Sequence, residues 1–115
     1  MKNIEIFENE HIETLGNDIG VIVSNEHTFG TDAMLLAYFS NAKRNDIACD
    51  FGTGCGIIPM LWCRDGNCKK VYGVEIQEKG YNQFSRSIQM NELNEKSEQI
   101  AQFSVAWSVF LWYIL

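Results

Sequence analysis

The rhythm of polar and apolar positions along this chain of 115 residues changes several times, and each change marks a candidate element. Residues 1 to 30 carry two short β-leaning pieces, Ile4 to Phe7 and Gly20 to Val23, parted by the turn-forming Asn17, Asp18 and Gly20. An irregular hairpin lobe is expected there. Thr31 or Asp32 offers an N-cap, and the helix formers from Ala33 to Phe39 predict a short, mostly buried helix. Ile47-Ala48-Cys49-Asp50-Phe51 is a brief apolar run holding one carboxylate, and Gly52-Thr53-Gly54-Cys55-Gly56 follows at once. That pattern predicts a strand running into a glycine loop. Ile57 to Cys63 is apolar again, with Pro59 early enough that its missing N–H costs nothing in the first turn of a helix. Arg64-Asp65-Gly66-Asn67 closes that helix, and Lys70 to Ile76 makes a second strand with Glu75 near its end. From Tyr81 to Lys96 the positions Tyr81, Phe84, Ile88 and Leu93 recur at helical intervals. The whole reads as an α/β chain built on one strand-helix-strand unit.

Composition narrows the classes. Apolar residues make up 46% and charged residues 21%, as in an ordinary soluble domain, and the length accommodates one core and no second domain. The formal charge of −6 lacks the broad basic surface that drives phosphate-backbone binding, so any nucleic-acid contact has to be local. Cys49, Cys55, Cys63 and Cys68 form no C-x-x-C pair, and His11 and His27 are the only histidines. No metal site is expected. Nothing resembling a secretion signal opens the chain, so the cysteines are read as reduced and the compartment as cytoplasmic.

The glycine loop carries the chemistry. A dinucleotide fingerprint counted from Gly52 needs a glycine where Ile57 stands, and a P-loop needs Lys-Ser/Thr after Gly56, where Ile57 and Ile58 follow. What remains is D-x-G-x-G-x-G, with Asp50 ahead of the loop and Glu75 at the tip of the next strand. A carboxylate at that tip accepts hydrogen bonds from both hydroxyls of a ribose, and the pair asks for a ligand with an amine, a ribose diol and no phosphate. S-adenosylmethionine offers these. Cys55 within the loop is read as a small residue that fits, rather than as a nucleophile.

Three blocks then carry a resemblance: Glu10 to Gly16 with Val21 to Asn25 behind it, Phe29-Gly30-Thr31-Asp32-Ala33-Met34-Leu35-Leu36-Ala37, and Asp50 to Pro59. Gly73-Val74-Glu75-Ile76-Gln77 and the Arg86-Ser87 helix extend it, so that it covers about residues 8 to 96. The chain resembles the bacterial tRNA1(Val) adenine-N6 methyltransferases, a family of class I methyltransferases. The resemblance implies a Rossmann-like fold, S-adenosylmethionine as cofactor, tRNA as partner, and transfer of a methyl group to the N6 amine of an adenine. It implies that Asp50, Gly52, Gly54 and Gly56 line the cofactor, that Glu75 holds the ribose, that Ile76 flanks the adenine, and that Thr31 and Asp32 close the near side. Phe29 and Tyr38 are read as core aromatics.

The family's chemistry takes place at an Asn-Pro-Pro-Tyr segment, which a chain whose single proline is Pro59 lacks. From Ile100 to Leu115 all residues but Gln102, Ser104 and Ser108 are apolar, with a periodicity that fits neither strand nor helix alone. The stretch is shorter than the roughly 20 residues of a membrane span and lacks basic flanks, so no membrane partner is expected. The expected organisation is a hairpin lobe over 1–30, a cofactor-binding part over 31–99 and an atypical tail over 100–115, together a truncated N-terminal part of the family's domain whose reading frame is lost near residue 99. Catalytic residues stay unassigned. The alternative function is a non-catalytic remnant or cofactor-binding fragment, whose open sheet edge would pair with a complementing fragment or a second copy.

Overall fold

The computed structural model of the chain describes residues 1–66, 68–93 and 97–101. Strands β1 (Glu10–Gly16) and β2 (Ile19–Ser24) form an antiparallel hairpin. Helix α1 (Thr31–Phe39) leads to strand β3 (Ile47–Phe51), helix α2 (Ile57–Arg64), strand β4 (Lys70–Glu75), helix α3 (Glu78–Met90) and strand β5 (Ser97–Ala101). The last three strands make a parallel sheet in the order β3-β4-β5. Helices α2 and α3 touch both this sheet and β2, so the hairpin forms an outer layer over the helices.

The hairpin is more regular than its sequence suggested. Ile4 to Phe7 forms no strand, because its partners are groups of α3: Arg86 Nη1 donates to the Glu5 carbonyl at 2.9 Å. The first strand begins instead at Glu10. Asn17 and Asp18, both at positive φ, join the strands as the central pair of a two-residue turn, the conformation that right-twisted hairpins favour.

The outer edge of β2 meets polar side chains of α3 in place of another strand. The Gly20 N–H donates to Asn91 Oδ1 at 3.0 Å, and Asn91 Nδ2 returns a bond to the Gly20 carbonyl at 2.7 Å. The Ile22 N–H donates to Ser87 Oγ at 2.9 Å, and Gln83 Nε2 donates to the Ile22 carbonyl at 3.0 Å. Ser24 Oγ then donates to Gln83 Oε1 at 2.8 Å. The match has a geometric cause. Every second strand residue presents its backbone on one edge, a repeat of about 6.6 Å, and four helical residues rise about 6.0 Å. Arg86 adds a clamp: its guanidinium forms two hydrogen bonds with Glu10, at 2.8 and 2.6 Å, and lies 4.3 Å from the centre of the Phe7 ring. Those bonds hold the Glu10 carboxyl below its ordinary range, against the opposing effect of burial.

Other expectations need correction. Gly30, and neither Thr31 nor Asp32, is the N-cap of α1, and no side chain caps that helix. Helix α1 is not mostly buried: Ala37 is its one buried residue, while Met34, Leu35, Leu36, Tyr38 and Phe39 are exposed. A segment apolar all round offers only one side to its neighbour α2, and the remaining apolar side chains face outward. Tyr38 is therefore no core residue, whereas Phe29 packs against the core in part. Helix α3 begins at Glu78 and ends at Met90, short of the Lys96 expected, and a third parallel strand follows within the expected cofactor-binding part. Ile100 and Ala101, expected in the atypical tail, belong to β5; positions 102–115 lie outside the described residues.

Substituting Ser87→Ala strands the buried Ile22 N–H without an acceptor and is expected to cost about 1–3 kcal/mol of unfolding free energy. Urea denaturation checks it; an unchanged midpoint would show that the side-chain ladder contributes nothing.

Candidate functional site

The parallel strands β3 and β4 bring their C-terminal ends together, and the glycine loop leaves β3 there. Gly52 and Thr53 both donate backbone N–H groups to the Val74 carbonyl, at 2.8 and 3.0 Å, which folds the loop back over the tip of β4. Glu75, only 7% exposed, fastens the arrangement. Its Oε1 accepts the Gly54 N–H at 2.9 Å and its Oε2 accepts the Gln77 N–H at 2.7 Å, linking the loop to the start of α3. A carboxylate has about four acceptor positions, so each oxygen keeps room for one further donor.

The three loop glycines serve two purposes. Gly52 and Gly54 adopt positive φ, +74° and +61°, and a Cβ added at either would enter open space. They present bare backbone outward. Gly56, at φ +90°, differs: an added Cβ would lie 2.1 Å from the Phe84 ring. Gly73 on β4 is equally tight, at 2.5 Å from the other side of that ring. Phe84 thus fills a hole made by two glycines and holds α3 against the loop. Gly56, expected to line a ligand, is a packing residue.

Asp50 sits half-buried beneath the loop. Burial first, and the nearby charge of Glu75 after it, push its carboxyl up from the ordinary value of 3.8. The Thr53 hydroxyl approaches closely enough to oppose that shift in part, yet it lies outside hydrogen-bonding geometry and is buried without a partner. Ile76 follows the strand and remains partly exposed beside this cluster. Asp50, Gly52, Gly54, Glu75 and Ile76 therefore converge at one end of the sheet. Thr31 and Asp32 lie exposed in the first turn of α1, and among the described residues no hydrogen bond joins them to the cluster. Burial pushes the Cys55 thiol up to about 11, so it is protonated and inert at neutral pH.

The sequence reading missed Thr53, whose hydroxyl has no signature of its own, and His27. The His27 ring and the Glu75 side chain crowd Gly80, where an added Cβ would lie 3.1 and 3.2 Å from them. Only the folded chain brings His27 there. A separate polar cavity of about 450 Å³ opens between the N-terminal segment and α3. Glu10 and Gln83 at its walls are already engaged, Glu10 by Arg86 and Gln83 by the Ile22 carbonyl.

Strand order and the strand-loop-helix connections define a Rossmann-like α/β fold. Among solved structures, the chain is similar to the M. jannaschii tRNA m1G37 methyltransferase, with 20% identity and a TM-score of 0.62 over 82% of this chain and 30% of that one. M. capricolum TrmK, solved with S-adenosyl-homocysteine, matches with 16% identity and a TM-score of 0.57 over 72% of this chain and 36% of its own. P. horikoshii TYW2, solved with MeSAdo, matches with 13% identity and a TM-score of 0.64 over 84% and 37%. The chain thus spans about a third of the length of these proteins. No protein-family model and no curated protein matches it.

The raised Asp50 carboxyl sets a pH dependence. The folded chain holds that proton more tightly than the unfolded chain, so its contribution to stability is full below the ordinary aspartate range and lost as pH rises through the raised value. Asp50→Asn is expected to remove this loss. Urea denaturation across acid to neutral pH checks it: relative to wild type, the variant should gain stability as pH rises, and parallel curves would refute the assignment.

Proposed function

We propose that this chain forms the cofactor-binding part of an S-adenosylmethionine-dependent enzyme that methylates tRNA. One observation carries the reading: a buried carboxylate at the tip of β4, with an acceptor position left on each oxygen, stands beside a loop whose Gly52 and Gly54 expose bare backbone. The neighbours solved with S-adenosyl-homocysteine and MeSAdo support that ligand class, and one of the three is named a tRNA methyltransferase. Glu75 would accept both ribose hydroxyls. Asp50 would face the ligand's ammonium, Gly52 and Gly54 would let it approach the backbone, and Ile76 would lie along the adenine, with Thr31 and Asp32 toward the near side. The bound cofactor supplies a methyl group already activated on a sulfonium, so the protein's work is alignment of the accepting nitrogen. The resemblance in sequence supports the N6 amine of an adenine in tRNA1(Val) as that nitrogen.

A second reading is favoured by a specific surface. Among the described residues strand β3 is an edge of the sheet, with Ile47 68% exposed and Phe51 about half exposed. In this reading the chain binds cofactor without turning it over, and the edge pairs with a complementing fragment or a second copy.

Calorimetric titration with S-adenosylhomocysteine tests the site. Micromolar binding, about −8 kcal/mol, is expected for the wild type, with at least a tenfold loss in Glu75→Ala; absence of binding by the folded chain would overturn the reading. Radiolabelled methyl transfer to unmodified tRNA then separates the two: turnover removes the non-catalytic reading, and cofactor binding without turnover supports it.

A further inference from the structure

The end of the sheet opposite the glycine loop collects much of the positive charge on an otherwise acidic chain. The Cys68 N–H donates to the Lys43 carbonyl at 3.0 Å and the Lys69 N–H to the Asp46 carbonyl at 2.7 Å, so the loop after α1 and the entry to β4 form one rim. Lys43, Arg44 and Lys69 are exposed on it, and none forms an ion pair among the described residues. Lys70 adjoins them. Asp46 stands on the same rim, its Oδ2 accepting the Lys43 backbone N–H at 2.8 Å, and the three cations outnumber it. The same loop begins just after Tyr38 and Phe39, 79% and 73% exposed, whose rings meet edge to face with centroids 5.5 Å apart.

Exposed aromatic rings beside unpaired cations have the chemistry of a single-stranded nucleic-acid platform, because rings stack on bases of any identity while cations take the phosphates. We propose that Tyr38, Phe39, Lys43, Arg44 and Lys69 form a docking surface for an unpaired loop of RNA. The choice of an RNA loop over a lipid surface follows from where the charges sit. A membrane-lying helix carries its basic residues on its own polar face, whereas α1 has none and bears Asp32. A chain of net charge −6 is repelled by an extended anionic plane, but a compact rim can meet one loop. The basic rim stands at the opposite end of β3 from the glycine loop, about 17 Å for a strand of five residues. RNA engaged there is held away from the reacting position, in the manner of a positioning contact. The inference takes its RNA from the proposed function while resting on different residues.

The test is fluorescence anisotropy with a labelled RNA stem-loop bearing an unpaired loop. Two variants, Tyr38→Ser/Phe39→Ser and Lys43→Gln/Arg44→Gln/Lys69→Gln, change exposed side chains only. Each is expected to weaken RNA binding about tenfold or more. The second should also flatten the dependence of log K on log salt by about 0.7 for each phosphate contact removed. Both should bind S-adenosylhomocysteine as wild type does. If RNA binding falls in the variants while wild type fails to bind S-adenosylhomocysteine, the surface stands and the cofactor reading falls. Equal RNA binding by wild type and both variants overturns the proposal, as does no RNA binding at all. Binding to anionic phospholipid vesicles in place of RNA, or a dimer that the aromatic variant breaks, assigns the surface to a lipid or to a second copy and equally overturns it.

Discussion

The ladder between β2 and α3 is the constraint on which the remainder depends. A two-stranded hairpin is marginal by itself, and the outer edge of β2 would present buried N–H and C=O groups that each cost free energy if left unpaired. Gln83, Ser87 and Asn91 satisfy that edge because four residues of helix and two of strand advance by nearly the same length. The register of the helix against the hairpin is thereby fixed. A slip of α3 by one residue would withdraw all three side chains at once and present Phe84, Ile88 and Glu92, or Asn82, Arg86 and Met90, in their place.

Fixing α3 in register also fixes what its other face does. With Ser87 held to Ile22, Phe84 points into the sheet side and enters the space between Gly56 and Gly73, which no residue with a Cβ could leave open. That contact sets where the glycine loop lies relative to β4, and so where Gly54 meets the carboxylate of Glu75. Hairpin, helix, loop and strand tip thus form one chain of dependence. A carboxylate expected to serve a ligand is equally a structural tie, and its two roles do not conflict because the backbone donors use only half of its acceptor positions.

How much of this was legible in the sequence follows from the range of each signal. Strand β3 matched the bounds of its apolar run, and α2 its start, because a run, a turn and a proline in the first helical turn are local statements. The cluster of Asp50, Gly52, Gly54, Glu75 and Ile76 was legible for the same reason. The failures are of longer range. Whether α1 is buried depends on how many neighbours surround it, which its own apolar residues do not encode. Strand β1 is mostly exposed and shows no alternation, though a two-residue turn at Asn17 and Asp18 implies a strand on its far side. Gly56 looked like Gly52 and Gly54 until Phe84, far along the chain, distinguished it. The tail expected over positions 102–115 lies outside the described residues.

The electrostatics of the site argue in one direction. Asp50 and Glu75 hold two carboxylates close enough that Glu75 helps raise Asp50, and burial raises it further. Such an arrangement disfavours a second negative charge and favours a positive one, since a cation set beside Asp50 would return its carboxyl toward the ionised form and recover the desolvation it has lost. A phosphate-bearing ligand would meet the opposite field. The absence of a P-loop lysine and the presence of two carboxylates are therefore the same statement about charge, made once by the sequence motif and again by the folded geometry. Under the proposed function the sign of the ligand follows from it: an ammonium or sulfonium is admitted where a pyrophosphate is turned away.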